Sequence, residues 1–267
     1  MGTAIQGAVG ANSLDDVQYT LPSGTIPFPF EYNGSSYTGV QVSTNGQLIF
    51  GGNYGGYTLP LSSTTVANGI VAVLARDLQG LVLAGSLGQM RYDTVGTAPD
   101  REFVIQWKNF KKYGTANNDE NYNFQVHLQE TTGRIRIAFG SMTVNASNGN
   151  PQVGIRGASN ADYFARTTTT DWSATNRATV NSATCTLTSG VFPASGLCMN
   201  FLPFTVEDLP NPAVLVSPDE GASDVPIVSN LTWASGGGAP SGYRLNLGTD
   251  NPPTNMAQNL DLGSALA

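Results

Sequence analysis

Apolar and polar residues alternate with a period of two along much of this chain, and the 3.6-residue period of a helix is nearly absent. Short runs of Val, Ile, Phe, Tyr and Thr are broken by clusters of Gly, Pro, Asn and Asp, which is the grammar of antiparallel strands and tight turns. In Val40-Gln-Val-Ser-Thr-Asn45 the valines share one face, Asn45-Gly46 makes a turn, and Leu48-Ile-Phe50 resumes the strand. The continuous apolar run Ile70–Leu74 predicts a central strand buried on both faces. Phe103–Trp107 is another strand. Tyr122–Glu130 places Phe124, Val126 and Leu128 inward, turns at Thr132-Gly133, and returns as Arg134–Phe139 with Ile135, Ile137 and Phe139 facing the core. Val153–Ile155 and a Thr-rich stretch around Trp172 follow. The pattern predicts an all-β fold, an antiparallel β-sandwich of jelly-roll-like type over residues 1–202.

A stiff, polar linker is expected over residues 203–212, where Pro203, Pro210 and Pro212 accompany Glu207 and Asp208. Beyond it, Val214–Pro226, Leu231–Trp233 and Tyr243–Leu247 read as strands of a second module over residues 213–267. That is about half of the ~100 residues an immunoglobulin-like or fibronectin-like sandwich needs. Either the chain is a fragment of a longer protein, or a strand from another copy completes the module.

Composition narrows the function classes. Apolar residues make up 40% of the 267, enough for a real core, whereas charged residues are only 12%. A net charge of −7, with lysine only at 108, 111 and 112, argues against nucleic acid, which needs a basic patch. Those lysines read as the outward side of a strand end. No apolar run approaches the ~18 residues of a membrane span. The start at Met1-Gly-Thr-Ala lacks the charged and apolar regions of a secretory leader, which suits a removed leader or an artificial start. Cys185 and Cys198 flank a Ser189-Gly190 turn. A disulfide across that hairpin and two buried free thiols are both compatible with the spacing.

The order of short motifs carries a resemblance. Ile26-Pro-Phe-Pro-Phe30 precedes Asn45-Gly-x-Leu-x-Phe-Gly51; Ala75-Arg-Asp-Leu78, Gly88-x-x-Arg-Tyr92 and Val104-Ile-Gln-Trp107 follow. Asn123-Phe-Gln-Val126, Ile137-Ala-Phe-Gly140 and Val153-Gly154 close the series. Over residues 20–165 this resembles the extracellular nidogen-like (NIDO) domain, as found in secreted multi-module proteins of Bacteroidetes-like bacteria. The tail, with Ser217-Pro218, Gly221-Ala-x-Asp-Val225 and Leu231-x-Trp233, is similar to bacterial fibronectin-type III or immunoglobulin-like repeats. Both resemblances imply adhesion, matrix contact or display outside the cell, without catalysis.

The candidate chemistry is sparse. His127 is the single histidine and belongs to the polar face of its strand, where it reads as structural or surface-exposed. One histidine cannot supply a common catalytic zinc site. Asp77 and Glu120 are the carboxylates best placed for polysaccharide hydrolysis. For Asp77 the alternative is an ion pair with Arg76 or a turn cap. Asn117, Asn118, Asp119 and Glu120 form an oxygen-rich loop suited to calcium or to solvent, and Asp15-Asp16 is a second such place. Tyr54 and Tyr57, on the glycine-rich loop 51–57, and Tyr113 offer flat amphipathic surfaces to a sugar or protein, unless Tyr54 and Tyr57 pack as a lid. The leading expectation is therefore a non-catalytic, secreted or cell-surface binding module, whose partner is an extracellular glycan or protein or a copy of itself. The alternatives are a filament or array subunit completed by strand addition, and a secreted polysaccharide hydrolase.

Overall fold

The computed structural model describes residues 2–7, 14–116, 119–145, 149–202, 211–237, 240 and 242–263. The chain divides into two units, Met1–Pro203 and Phe204–Ala267. The first is an antiparallel sandwich of two seven-stranded sheets. One sheet runs in the order β1 (Thr3–Gly7), β9 (Gln89–Val95), β10 (Glu102–Lys112), β11 (Tyr122–Gln129), β12 (Ile135–Phe139) and β16 (Cys198–Phe201), with β8 (Leu78–Gly80) against the end of β10. The other runs β15 (Asn176–Arg177), β14 (Tyr163–Thr167), β13 (Gln152–Arg156), β7 (Ala67–Ala75), β6 (Gln47–Gly52), β5 (Val40–Ser43) and β2 (Gln18–Leu21). A small hairpin, β3 (Phe30–Tyr32) and β4 (Ser35–Tyr37), forms its own two-stranded sheet and sends Phe30 and Tyr32 into the core.

Local sequence explains the strongest hairpins. β11 and β12 pair Phe124 with Phe139, Val126 with Ile137 and Leu128 with Ile135, so the apolar face is continuous across both strands. β5 and β6 are joined at Asn45-Gly46, where Gly46 has φ +73°. A Cβ at Gly46 would lie 2.6 Å from the Leu74 carbonyl oxygen, so the turn needs glycine on both counts. β7 lies between β6 and β13 and is buried from Gly69 through Ala75, as a central strand with both faces covered must be. Inner faces of both sheets meet in one core that includes Phe50, Val71, Ile105, Trp107, Phe124, Val126 and Ile137. The Trp107 indole N–H donates 2.9 Å across the sandwich to the Ser43 carbonyl, so this large side chain fills the core without an orphaned donor.

Three sequence expectations are corrected. The Ser189-Gly190 turn forms, with Thr188 and Val191 paired through both backbone bonds, but the chain diverges beyond it. Cys198 enters β16 opposite Ala138 and is exposed, Cys185 bridges to Thr168 and is buried, and both thiols are free, so neither the disulfide nor a pair of buried thiols is present. Lys111 is not outward: it is 3% exposed, with its ammonium held by Gln79 Oε1 and the Thr115 carbonyl. His127 keeps the polar side of β11, yet it is only 8% exposed because neighbouring polar side chains cover it.

In the second unit, β17 (Val214–Ser217) pairs with β18 (Thr232–Ala234), and β19 (Tyr243–Leu247) pairs with β20 (Ala257–Gly263). All four residues of β17 are exposed. No helix among the described residues is long and apolar enough to cross a membrane.

Candidate functional site

The polar chemistry gathers where β7 ends and β10 ends. Asn45 organises this corner: its side-chain oxygen accepts from Leu78 N at 2.8 Å, its amide donates to Asp16 Oδ1 at 2.8 Å, and its carbonyl accepts from Arg76 N. The segment Leu14–Asp16 runs beside β8, with Asp15 bridged to Gln79 and Gly80 N donating to Leu14 O. Tyr113 N donates to Asp77 O at 3.1 Å, which fixes the exit of β10 against the turn after β7. The result is that Arg76, Asp77, Lys112 and Tyr113 line one open cleft of about 250 Å³ with Thr58, Gly149 and Asn150.

Arg76 is the unusual member. It is 4% exposed, and its Nε and Nη1 are buried with no hydrogen-bond partner. Among the described residues no carboxylate lies within ion-pair distance of it, so the Arg76–Asp77 pair foreseen from the sequence is not made. Burial draws its pKa below the usual arginine range, opposed by the nearby Tyr122, Glu120 and Asp77. A Cβ at Gly149 would lie 1.8 Å from Arg76 Nη2, so glycine there lets the backbone roof the guanidinium.

Beside the cleft, Asp15, Asp16 and Asp77 bring one carboxylate oxygen each within 4.8 Å of one another. Desolvation raises the Asp15 carboxyl, as do Asp16 and Asp77, with Lys111 opposing. Desolvation and Asp16 likewise raise Asp77, against Arg76 and Lys112. Asp15 Oδ1 and Asp77 Oδ1 are buried without partners. This all-oxygen set has the donor chemistry of a hard cation, though it supplies three of the six to eight oxygens calcium takes.

Of the loop expected to hold calcium, only Asp119 and Glu120 are among the described residues; Asn117 and Asn118 lie outside them. Asp119 is exposed, while Glu120 is 1% exposed and its Oε2 accepts from Lys112 N and Thr115 Oγ1, closing the loop onto the strand end. Glu120 Oε2 is thereby engaged in the loop, while its Oε1 is buried without a partner. Asp77 alone of the two hydrolase candidates faces the cleft.

The tyrosines separate. Tyr54 is 5% exposed and packs with Ile49, Ala67 and Ile70, which is the lid arrangement and not a ligand surface. Tyr57 and Tyr113 are 50% and 52% exposed. Tyr113 is at the cleft; Tyr57 is next to its Thr58 wall.

His127 belongs elsewhere. It pairs across from Val104 on β10, eight residues from Lys112, or roughly 25 Å along the strand at ~3.3 Å per residue. Its Nδ1 lies 2.7 Å from Glu102 Oε2 and 2.9 Å from Arg136 Nη2, and its Nε2 lies 3.1 Å from Gln125 Oε1. No residue of the cleft can use this histidine for proton transfer.

Sequence reasoning found Asp77 and Tyr113 singly, and treated Arg76 only as a partner for Asp77. The signal that could have raised it is an arginine placed directly after a fully apolar run, where a charge is costly to bury. The meeting of Asp15-Asp16 with Asp77, and of Arg76 with Gly149, depends on pairings between distant segments that no local pattern encodes.

Neither the curated proteins nor the solved structures give a match to the chain. The family model described as NIDO related matches residues 3–203, which is nearly all of the first unit and three-quarters of the sequence; the chain belongs to the NIDO-related family.

Proposed function

We propose that the chain is a non-catalytic recognition module of a secreted or cell-surface protein, and that its ligand surface is the cleft at the end of β7 and β10. NIDO-related domains are typical of extracellular proteins, which supports the location. The observation that carries the reading is Arg76, a buried guanidinium with two unpartnered nitrogens, opening onto a cleft whose rim carries the exposed ring of Tyr113. A buried unpaired cation is expensive, and a fold that keeps one beside an accessible space has a use for it in binding. The tail reads as a fibronectin-like or immunoglobulin-like repeat of the same multi-module protein.

The test is an array of extracellular glycans and matrix proteins probed with the full chain and with Tyr113→Ala. The expected result is a ligand class that the wild type retains and the variant loses. Absence of any ligand, or release of sugar products from polysaccharides, would overturn the reading in favour of a structural or hydrolytic role.

A second reading, assembly with copies of itself, is favoured by the apolar side chains exposed in the second unit, among them Val214, Leu215, Val216, Ile227 and Val228. Light scattering on the purified chain separates it from the first: orderly oligomers support it, and a monomer across concentrations removes it.

A further inference from the structure

We propose that the Arg76 cleft is a carboxylate subsite that takes one hexuronate residue of an acidic polysaccharide. The inference rests on the recognition reading above and names its ligand class. A carboxylate meets a guanidinium along its Nε–Nη2 edge or its Nη1–Nη2 edge, and each of these edges carries one of the two unpartnered nitrogens of Arg76. Both are buried and without protein partners, so a carboxylate bound along either edge satisfies one of them with a charge-assisted hydrogen bond. Lys112 adds positive charge to the same lining.

The remainder of the lining selects a sugar. Asp77 Oδ1 is an unpartnered acceptor suited to a hydroxyl donor. Thr58 and Asn150 add a hydroxyl and an amide. Tyr113, half exposed, offers an aromatic face to the C–H side of a ring. A carboxylate, several hydroxyls and an apolar ring face occur together in a hexuronate. An acidic peptide side chain brings the carboxylate but few donors for Asp77. The volume of about 250 Å³ is roughly that of eight liquid waters at ~30 Å³ each, room for one ring and not for a chain. The cleft therefore reads a terminal or laterally projecting residue.

The experiment is titration calorimetry of the full chain with three probes: a hexuronate trisaccharide, the same trisaccharide with its carboxyls reduced to alcohols, and an acidic tripeptide. The uronate should bind, and the reduced sugar should bind at least tenfold more weakly. Arg76→Gln should lose at least tenfold for the uronate while keeping the emission of buried Trp107. Should that variant fail to fold, Tyr113→Ala, altered only at an exposed ring, carries the test and should weaken uronate binding about tenfold. Equal binding of the acidic and reduced sugars, preference for the peptide, uronate binding unmoved by Tyr113→Ala, or no binding of any probe overturns the inference. Reduced sugar or peptide binding that Tyr113→Ala abolishes leaves the recognition reading standing with a different ligand. If no probe and no member of the array is lost on that substitution, both fail.

Discussion

Glu102 is the hub of the polar face of the first sheet. Burial pushes its carboxyl up, but hydrogen bonds from Gln129, His127 and Arg136, with the Arg136 charge, outweigh burial and hold it below its usual range. His127 is lowered, first by burial and then by Arg136, against the pull of Glu102. In both cases the unfolded state binds its proton more readily than the folded state. Stability therefore declines as pH falls through about 6.5, where unfolded histidine takes its proton, and again below about 4.5 as unfolded Glu102 does. Urea midpoints at pH 7.5 and 5.5, followed by emission of the buried tryptophans, should show this drop, and His127→Gln should shrink it. The acidic corner has the opposite sign, because Asp15 and Asp77 are raised and protonating them relieves repulsion. Asp16→Asn removes one of those charges, keeps the oxygen that accepts from Asn45, and suits the φ of +49° better than aspartate does. It should stabilise by about 0.5 kcal/mol and raise Tm by roughly 1–2 °C. The thiols give a third check. Burial pushes Cys185 up to about 12, so a thiol reagent should label Cys198 alone in the native chain and both in denaturant.

Strands tie these residues into place through a few positions that tolerate no replacement. Gly46→Ala places a methyl group against the Leu74 carbonyl at a φ that also disfavours alanine, and it should cost about 2–4 kcal/mol, read from the denaturation midpoint of the first unit. Hairpins such as β5–β6 and β11–β12 were legible in the sequence because their signals are local: an Asn-Gly or Thr-Gly turn between runs whose apolar residues recur every second position. The buried run that became β7 was legible for the same reason. Which strands lie beside it was not, since β13 joins β7 from about eighty residues further on and β16 reaches β12 after about sixty. Two polar residues show the consequence. Arg156 is 1% exposed because Pro60, Ser63 and Thr65 turn their carbonyls onto its guanidinium, and Gln152 is fully buried because Leu61 N and the Asn181 carbonyl satisfy its amide. Neither arrangement has a sequence signature, because the partners are backbone groups more than ninety residues away, apart from the Asn181 carbonyl at 29. The cleft was missed on the same ground: Asp77 and Tyr113 stood out singly, but only the pairing of β8 with β10 brings them together.

At the level of the whole molecule, the two units bury their apolar surface very differently. Every residue of the described core clusters belongs to the first unit, and its two sheets supply both walls. A sandwich of about 200 residues with such a core carries its own stability. The second unit offers two hairpins, and β17 exposes Val214, Leu215 and Val216 at 56%, 47% and 55%. Hairpins of this kind are marginal in water without a further layer to cover the apolar side. A chain shortened to residues 2–202 should therefore keep the cooperative transition and the pH dependence of the longer one, with Tm within a few degrees. Residues 211–267 alone should show no cooperative transition in calorimetry. A large loss of stability on shortening would mean that the second unit supports the sandwich. A sharp transition in the isolated tail would mean that its hairpins find their missing layer in another copy, which returns the question of self-assembly to the light-scattering experiment.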